Sequence, residues 1–407
     1  MLATLRAALE RRSRARVHTL AEQVERQSYL LPRARLDDLI QLLIARGYRV
    51  QGPTLRDGAI VLGPLRSDRD LPIGFTDEQR AGHYRVVPRQ DVAVFGYVVG
   101  PHSFKAELLR PAQTLFRAKR EAKRVRFIAE AVDDSPLCLF GARACDLAAI
   151  EVQDGVLRDS QHPDAFYAAR RAASCIVAVG CTQSAPTCFC ASMGTGPAPT
   201  RGYDLALTEL IGDAGHRFVV AVGTRLGADL VGELGLALVP ADDADLARAA
   251  LRDTRRNMRK SLETTGLQEM LAAAANHPHW DDVAARCLAC TNCTQVCPTC
   301  FCVGVEDRVS LDGSETERVR HWDSCFSAEY SKLHGGAVRA SVRARYRQWL
   351  THKLSTWFDQ FGRSGCVGCG RCITFCPAAI DLTEEVQALR APVSARTRAR
   401  GDSSNGN

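Results

Sequence analysis

The chain has 407 residues, 17 of them cysteine, with 46% hydrophobic residues and a formal net charge of +7. That length can bury the cores of two or three domains, so the cysteines are not needed as covalent staples. The charge sits at the ends: residues 1–36 carry +5 and residues 390–407 carry +3, leaving −1 for everything between. This excludes a nucleic-acid footprint spread over the folded surface.

In chain order, residues 1–30 read as an Arg-rich, helix-prone extension that lacks the apolar core and small-residue cleavage site of a secretory signal. A transit peptide is disfavoured by Glu10, Glu22 and Glu25. No stretch is apolar for long enough to span a bilayer, and free cysteines in this number suit a reducing compartment. The expectation is a cytoplasmic protein.

Residues 31–260 read as an α/β domain. LDDLIQLLIARGYRV at 36–50 has helical periodicity, and Gly52-Pro53, Gly63-Pro64 and Gly100-Pro101 mark breaks. The apolar runs LCLFG (137–141), CIVAVG (175–180) and RFVVAV (217–222) alternate with helical segments and predict strands. Cys138 and Cys175 fall inside such runs and read as core. Residues 261–390 read as a mainly helical, ferredoxin-type dicluster domain, and residues 391–407 as a disordered tail. The fold class expected is α+β multidomain.

Two cysteine runs carry the chemistry. Residues 287–298 are CLACTNCTQVCP and residues 366–377 are CVGCGRCITFCP. Both fit C-x2-C-x2-C-x3-C-P, the run that holds [4Fe–4S] clusters in bacterial ferredoxins. Three thiolates at i, i+3 and i+6 wrap a tight turn around three corners of a cubane, and the proline turns the chain away. The fourth cysteine of each run serves the other cluster in such proteins. Cys287, Cys290, Cys293 and Cys376 therefore form one expected set, and Cys366, Cys369, Cys372 and Cys297 the other. A pair of zinc sites is the competing reading of CxxC spacing. The third cysteine at the same interval and the Cys-Pro ending, both repeated, favour iron–sulfur.

Between the runs lies a long insertion, residues 298–365. It contains HWDSC at 321–325 and a helical pattern at 336–358. Val338, Val342, Tyr346, Leu350 and Leu354 make an apolar stripe. Arg339, Arg343 and Arg347 make a parallel one, either a solvated face or a docking or charge-compensating surface.

A second group of cysteines is less determinate. Cys181, Cys188 and Cys190 lie in CTQSAPTCFCASMGTGP, and Cys145 lies in GARACDLAAI near a strand-to-helix turn. Spacing leaves open a third cluster or buried structural thiols. PTCFC occurs twice, at 186–190 and 298–302. Cys300 and Cys302 thus sit beside a cluster or ligate one with Cys325. An open cluster there would be a site for a sulfur-reducing enzyme.

The sequence has no G-x-G-x-x-G or P-loop signature, no haem attachment motif and no local catalytic triad. No flavin or nucleotide is expected in this chain, and no catalytic residue. The clusters are expected to pass electrons between partners.

GARACDLAAI, CTQSAPTCFCASMGTGP, CLACTNCTQVCPTCFCV, HWDSCFS and CVGCGRCITFCP, with LPIGFTDEQRAGHYRV and GPHSFKAELLRP upstream, together resemble a known family. It comprises the beta subunits of cytoplasmic sulfhydrogenases, which are NADP-linked nickel–iron hydrogenases, and the corresponding iron–sulfur subunits of anaerobic sulfite reductases. The resemblance runs from about residue 30 to residue 390. It implies an iron–sulfur electron-transfer subunit partnered by a flavin/NAD(P)-binding iron–sulfur subunit. The further partners it implies are nickel–iron hydrogenase small and large subunits, or a sirohaem sulfite reductase. It also implies that Cys145, Cys181, Cys188 and Cys190 are a third ligand set. Ser103 and Lys105 belong to a family motif, without an assigned chemical role.

Overall fold

The computed structural model describes residues 27–122 and 124–392. Residues 1–26 of the expected Arg-rich extension and residues 393–407 of the expected tail lie outside the described residues.

Strands β1 (Ser28–Pro32), β2 (Arg49–Arg56) and β3 (Ala59–Pro64) precede two antiparallel pairs, β4 (Phe75–Arg80) with β5 (His83–Pro88), and β6 (Ala112–Glu121) with β7 (Arg124–Ala129). Then come β8 (Leu137–Ala142), β9 (Ser174–Val179), β10 (Leu205–Gly212), β11 (Gly215–Val222) and β12 (Ala237–Leu238). One eight-stranded sheet has the order β12-β1-β11-β10-β9-β8-β2-β3. Its centre, β2, β8, β9 and β10, is parallel, and its flanks are antiparallel.

The apolar runs read from the sequence are β8, β9 and β11. They are continuous rather than alternating because both faces of the sheet are covered. Cys138, Phe140, Cys175, Val177 and Val179 face one core, with the helix Leu36–Ala45, which buries Leu36, Leu39, Ile40 and Leu43 at helical spacing. Leu137, Leu139, Ile176 and Ala178 face the other, with Leu147, Ile150 and Tyr167 of the helices Ala144–Leu157 and Ala165–Ala172. Cys138 and Cys175 are paired in register and fully buried, so both are core.

The cysteine-rich region is less purely helical than its sequence pattern. Its insertion holds β13 (Val303–Val309), β14 (Glu315–Trp322), β15 (Lys332–Leu333) and β16 (Gly336–Ala337). β14 pairs antiparallel with β6, from Glu315 opposite Lys119 to His321 opposite Ala112, completing a four-stranded sheet β13-β14-β6-β7. The insertion thus ties the two regions of the chain together by backbone hydrogen bonds. The helix expected over 336–358 starts later, at Val342, where the Ser341 hydroxyl accepts from Ala344 N–H. It runs to Thr351 and passes through a π-helical turn, His352–Thr356, into Trp357–Phe361. Tyr346, Leu350 and Leu354 are buried as the stripe predicts, whereas Val338 lies before the helix and is 57% exposed. The parallel arginines tie locally: Arg343 pairs with Asp281, and Arg347 donates to the Ala275 carbonyl.

Candidate metal centres

Each cysteine run folds as a loop that enters a single helical turn, Asn292–Gln295 in the first and Arg371–Thr374 in the second. The two loops share an unusual backbone. Ala289 (φ +50°) and Thr291 (φ +69°) occupy the same slots as Gly368 (φ +64°) and Gly370 (φ +78°). These left-handed residues turn amide N–H groups toward sulfur. Ala289 N donates to Cys287 Sγ at 3.4 Å, and Gly368 N donates to Cys366 Sγ at 3.5 Å.

Non-glycine residues accept the left-handed strain in the first loop, but the second has a further constraint. A Cβ on Gly368 would lie 2.7 Å from the backbone of Phe189 and Cys190, and one on Gly370 would lie 2.5 Å from the Thr187 carbonyl oxygen. The first PTCFC segment therefore lies directly on the second cysteine run. Phe189 N donates to Gly368 O at 2.9 Å, Thr195 Oγ1 donates to Val367 O at 2.6 Å, and Thr187 Oγ1 meets Thr374 Oγ1 at 2.8 Å.

The cysteines assemble across the runs. One cavity is lined by Cys287, Cys290, Cys293 and Cys376, with Cys372, Phe326, Tyr346 and Trp349 around it. A second is lined by Cys297, Cys366, Cys369 and Cys372, with Lys353 and Phe189. Both are narrow, admitting a water-sized sphere over only about 30 Å³ and 20 Å³. Cys372 borders both, so the cavities are neighbours. Burial pushes the thiols of Cys293 and Cys372 well above their usual range, and burial pushes Cys366 up to about 12. Such thiols stay protonated unless a metal takes the proton's place.

The third group also comes together. Cys145 is in the first turn of the helix following β8, and Cys181 follows the end of β9. Adjacent parallel strands deliver both to the carboxyl edge of the sheet, the usual place for ligand-binding residues in such sheets. Cys188 and Cys190 reach the same place from the PTCFC segment, and Cys145, Cys188, Cys190 and Cys369 share one buried cluster. Burial raises all four thiols, Cys190 to about 12.

Two buried arginines flank this group. Arg143 donates to the carbonyls of Phe95 (3.1 Å) and Tyr97 (2.9 Å) and approaches Cys181 Sγ at 4.0 Å. Arg371 pairs with Asp146 at 2.9 Å and donates to Gly100 O at 3.1 Å. Buried cations of this kind need a compensating negative charge; Asp146 supplies it for Arg371, and Cys181 as a thiolate would supply it for Arg143.

A lysine lies in the same way at the second cavity. Lys353, 5% exposed, donates to Cys297 Sγ at 3.2 Å and to Thr299 Oγ1 at 3.0 Å. Burial alone would lower its pKa, but the thiolates of Cys297, Cys300 and Cys366 raise it well above the usual lysine value. Lys105, from the upstream family motif, donates to the carbonyls of Thr294 (3.3 Å) and Gln295 (3.1 Å) and sits 4.0 Å over the Trp322 ring. It thereby clamps the helical turn of the first run. Sequence reasoning missed the parts of Lys353, Arg143 and Arg371.

The remaining thiols pair differently. Cys300 contacts Cys297, while Cys302 hydrogen-bonds Cys325 and the Tyr330 hydroxyl.

Residues 286–380 match the family described as 4Fe-4S dicluster domain. The chain is 32% identical over 289 residues to sulfhydrogenase 2 subunit beta of Pyrococcus furiosus, covering 70% of this chain and 82% of that relative. No solved structure matches the chain.

Proposed function

Since the chain belongs to the family of sulfhydrogenase beta subunits, we propose that it conducts electrons through three [4Fe–4S] clusters within an oxidoreductase complex. The observation that carries this reading is the interleaving of the two runs. Each cavity takes three cysteines from one run and the fourth of the other, with Cys372 on the shared wall, the exchange that two-cluster ferredoxins make. Cys287, Cys290, Cys293 and Cys376 hold the first cluster, and Cys366, Cys369, Cys372 and Cys297 the second. Cys145, Cys181, Cys188 and Cys190 hold the third. A cubane carries each thiolate on its own iron. Zinc would instead require thiolates to close on one point, whereas the third cysteine and the Cys-Pro ending of each run fit the cubane.

The clusters supply one-electron carriage, and the chain's own groups order and tune it. Cys372 links the first site to the second, and Cys369 links the second to the third, so the order is linear. At one end Cys290 is exposed and Leu288 is 67% exposed. At the other, a cleft of about 770 Å³ beside Met193–Pro197 and Cys366 is lined by Arg171, Arg201, Arg248, Arg252, Arg255 and Arg363. Two accessible ends suit a subunit placed between a flavin/NAD(P) partner and a catalytic partner, nickel–iron hydrogenase or sirohaem sulfite reductase. Among the described residues no helix is long and apolar enough to cross a membrane.

The test is iron and acid-labile sulfide per chain after anaerobic purification, with EPR of the reduced protein. About twelve irons are expected for three cubanes, and about eight would make the third group structural. Zinc without sulfide would refute the carrier reading.

A further inference from the structure

Three cysteines of the insertion and its approach are left without a role by the three cluster sites: Cys300, Cys302 and Cys325. Cys300 is buried against Cys297. Cys302 and Cys325 differ, because both are partly exposed and they lie against each other.

Their meeting is built by the fold. Cys302 immediately precedes β13, and Cys325 follows β14 by three residues. The two strands pair antiparallel, with Val303 opposite Trp322, so their ladder brings the flanking segments side by side. Asp323 N extends the ladder by donating to Cys302 O at 2.9 Å. The Cys325 thiol and backbone N–H and the Tyr330 hydroxyl lie beside the Cys302 sulfur. Two partly exposed thiols held side by side by a strand ladder, with polar groups beside Cys302, suit thiol–disulfide exchange in which Cys302 attacks and Cys325 resolves. The first cluster site is close, since the charge of Cys293 acts on Cys325.

We propose that Cys302 and Cys325 form a two-electron thiol–disulfide centre beside the first cluster. The proposal rests on the electron-carrier reading, because the clusters return the electrons. With a small disulfide as oxidant, the Cys302 thiolate attacks one sulfur, forms a mixed disulfide and expels a thiolate, which takes up a proton. Cys325 then loses its proton and attacks the Cys302 sulfur. A second thiol leaves, and the Cys302–Cys325 disulfide remains. Two electrons, passed singly through the clusters, and two protons restore both thiols. The pair thereby joins the one-electron chemistry of the clusters to the two-electron chemistry of disulfides. Among the described thiols these two combine mutual contact with access to solvent.

The test uses the full chain with its clusters, under argon. Oxidised glutathione is added, free thiols are alkylated in denaturant, and the digest is analysed by mass spectrometry. A peptide pair linked through Cys302 and Cys325 is expected, with iron per chain unchanged. In Cys325→Ser, Cys302 retains one glutathione per chain as a stable mixed disulfide. In Cys302→Ser, Cys325 takes up at least tenfold less. Photoreduced deazaflavin then regenerates both thiols in the wild-type chain, and at least tenfold more slowly in Cys290→Ala, which lacks the first cluster. Alkylation of both cysteines without a link would overturn the proposal, as would loss of iron in Cys302→Ser or Cys325→Ser, which would make them cluster ligands. Equal recovery in Cys290→Ala would overturn the cluster connection. A chain without iron that still forms the link would sink the carrier reading and leave the cysteine pair standing.

Discussion

Lys353→Met separates a tuned cluster from a merely enclosed one. The ammonium touches Cys297 Sγ at 3.2 Å, inside the second cavity and almost out of contact with water. A cluster held by these thiolates would spread an added electron over the cubane, so a separation of about 6 Å from the ammonium is taken for the Coulomb energy. At an effective dielectric constant near 20, one unit charge at that distance contributes about 2.8 kcal/mol. For a one-electron couple this equals two tenfold steps in the equilibrium constant, or about 120 mV. The reduced cluster is the more negative form, so removing the cation destabilises it and lowers the potential. Methionine has a similar length and no charge, so packing is largely kept. An EPR-monitored redox titration of the complete protein should show the second cluster falling by about 120 mV in Lys353→Met and by less than half of that in Lys353→Arg. Equal potentials in wild type and Lys353→Met, with iron content retained, would refute the reasoning. The Cys297 site would then be screened from its own counter-ion.

Other outcomes follow from the same geometry. Gly370→Ala meets both a left-handed backbone and the Thr187 carbonyl, and should cost about 2–4 kcal/mol, seen as a lower thermal midpoint and loss of second-cluster iron. Thr291→Gly, at the matching slot of the first run, should change stability by no more than about 1 kcal/mol. Cys145→Ala should lower the iron content from about twelve to about eight per chain while leaving the ferredoxin-type EPR signals in place. Finally, the Cys302 thiol is brought down to about 6, chiefly by the hydrogen bond from Cys325, with Tyr330 and Lys353 acting in the same direction against burial. Its alkylation by iodoacetamide should therefore rise with pH to half its maximum near pH 6. A half-maximum at the ordinary thiol value would show that those donors do not act on it.

The ligand chemistry was legible from local spacing, because three thiolates at i, i+3 and i+6 form a tight loop around a cluster whatever surrounds them. The strands β8, β9 and β11 were legible too, since their apolar runs are long enough to be buried on both faces. That Cys145 and Cys181 reach the same edge of the sheet is not a local property. It depends on β8 and β9 lying side by side in a parallel sheet, which brings two distant segments to one edge. The requirement for glycine at 368 and 370, but not at 289 and 291, depends on which loop the Thr187–Cys190 segment lies against. The helical stripe at 336–358 was legible, since most of it is helix from Val342 on, but the strands earlier in the insertion were not, because β14 finds its partner in β6, about two hundred residues earlier in the chain. Buried Lys353, Arg143 and Arg371 look like ordinary surface residues in sequence. Long-range packing encloses them, where a long cationic side chain can lie beside sulfur and balance the charge that the clusters bring.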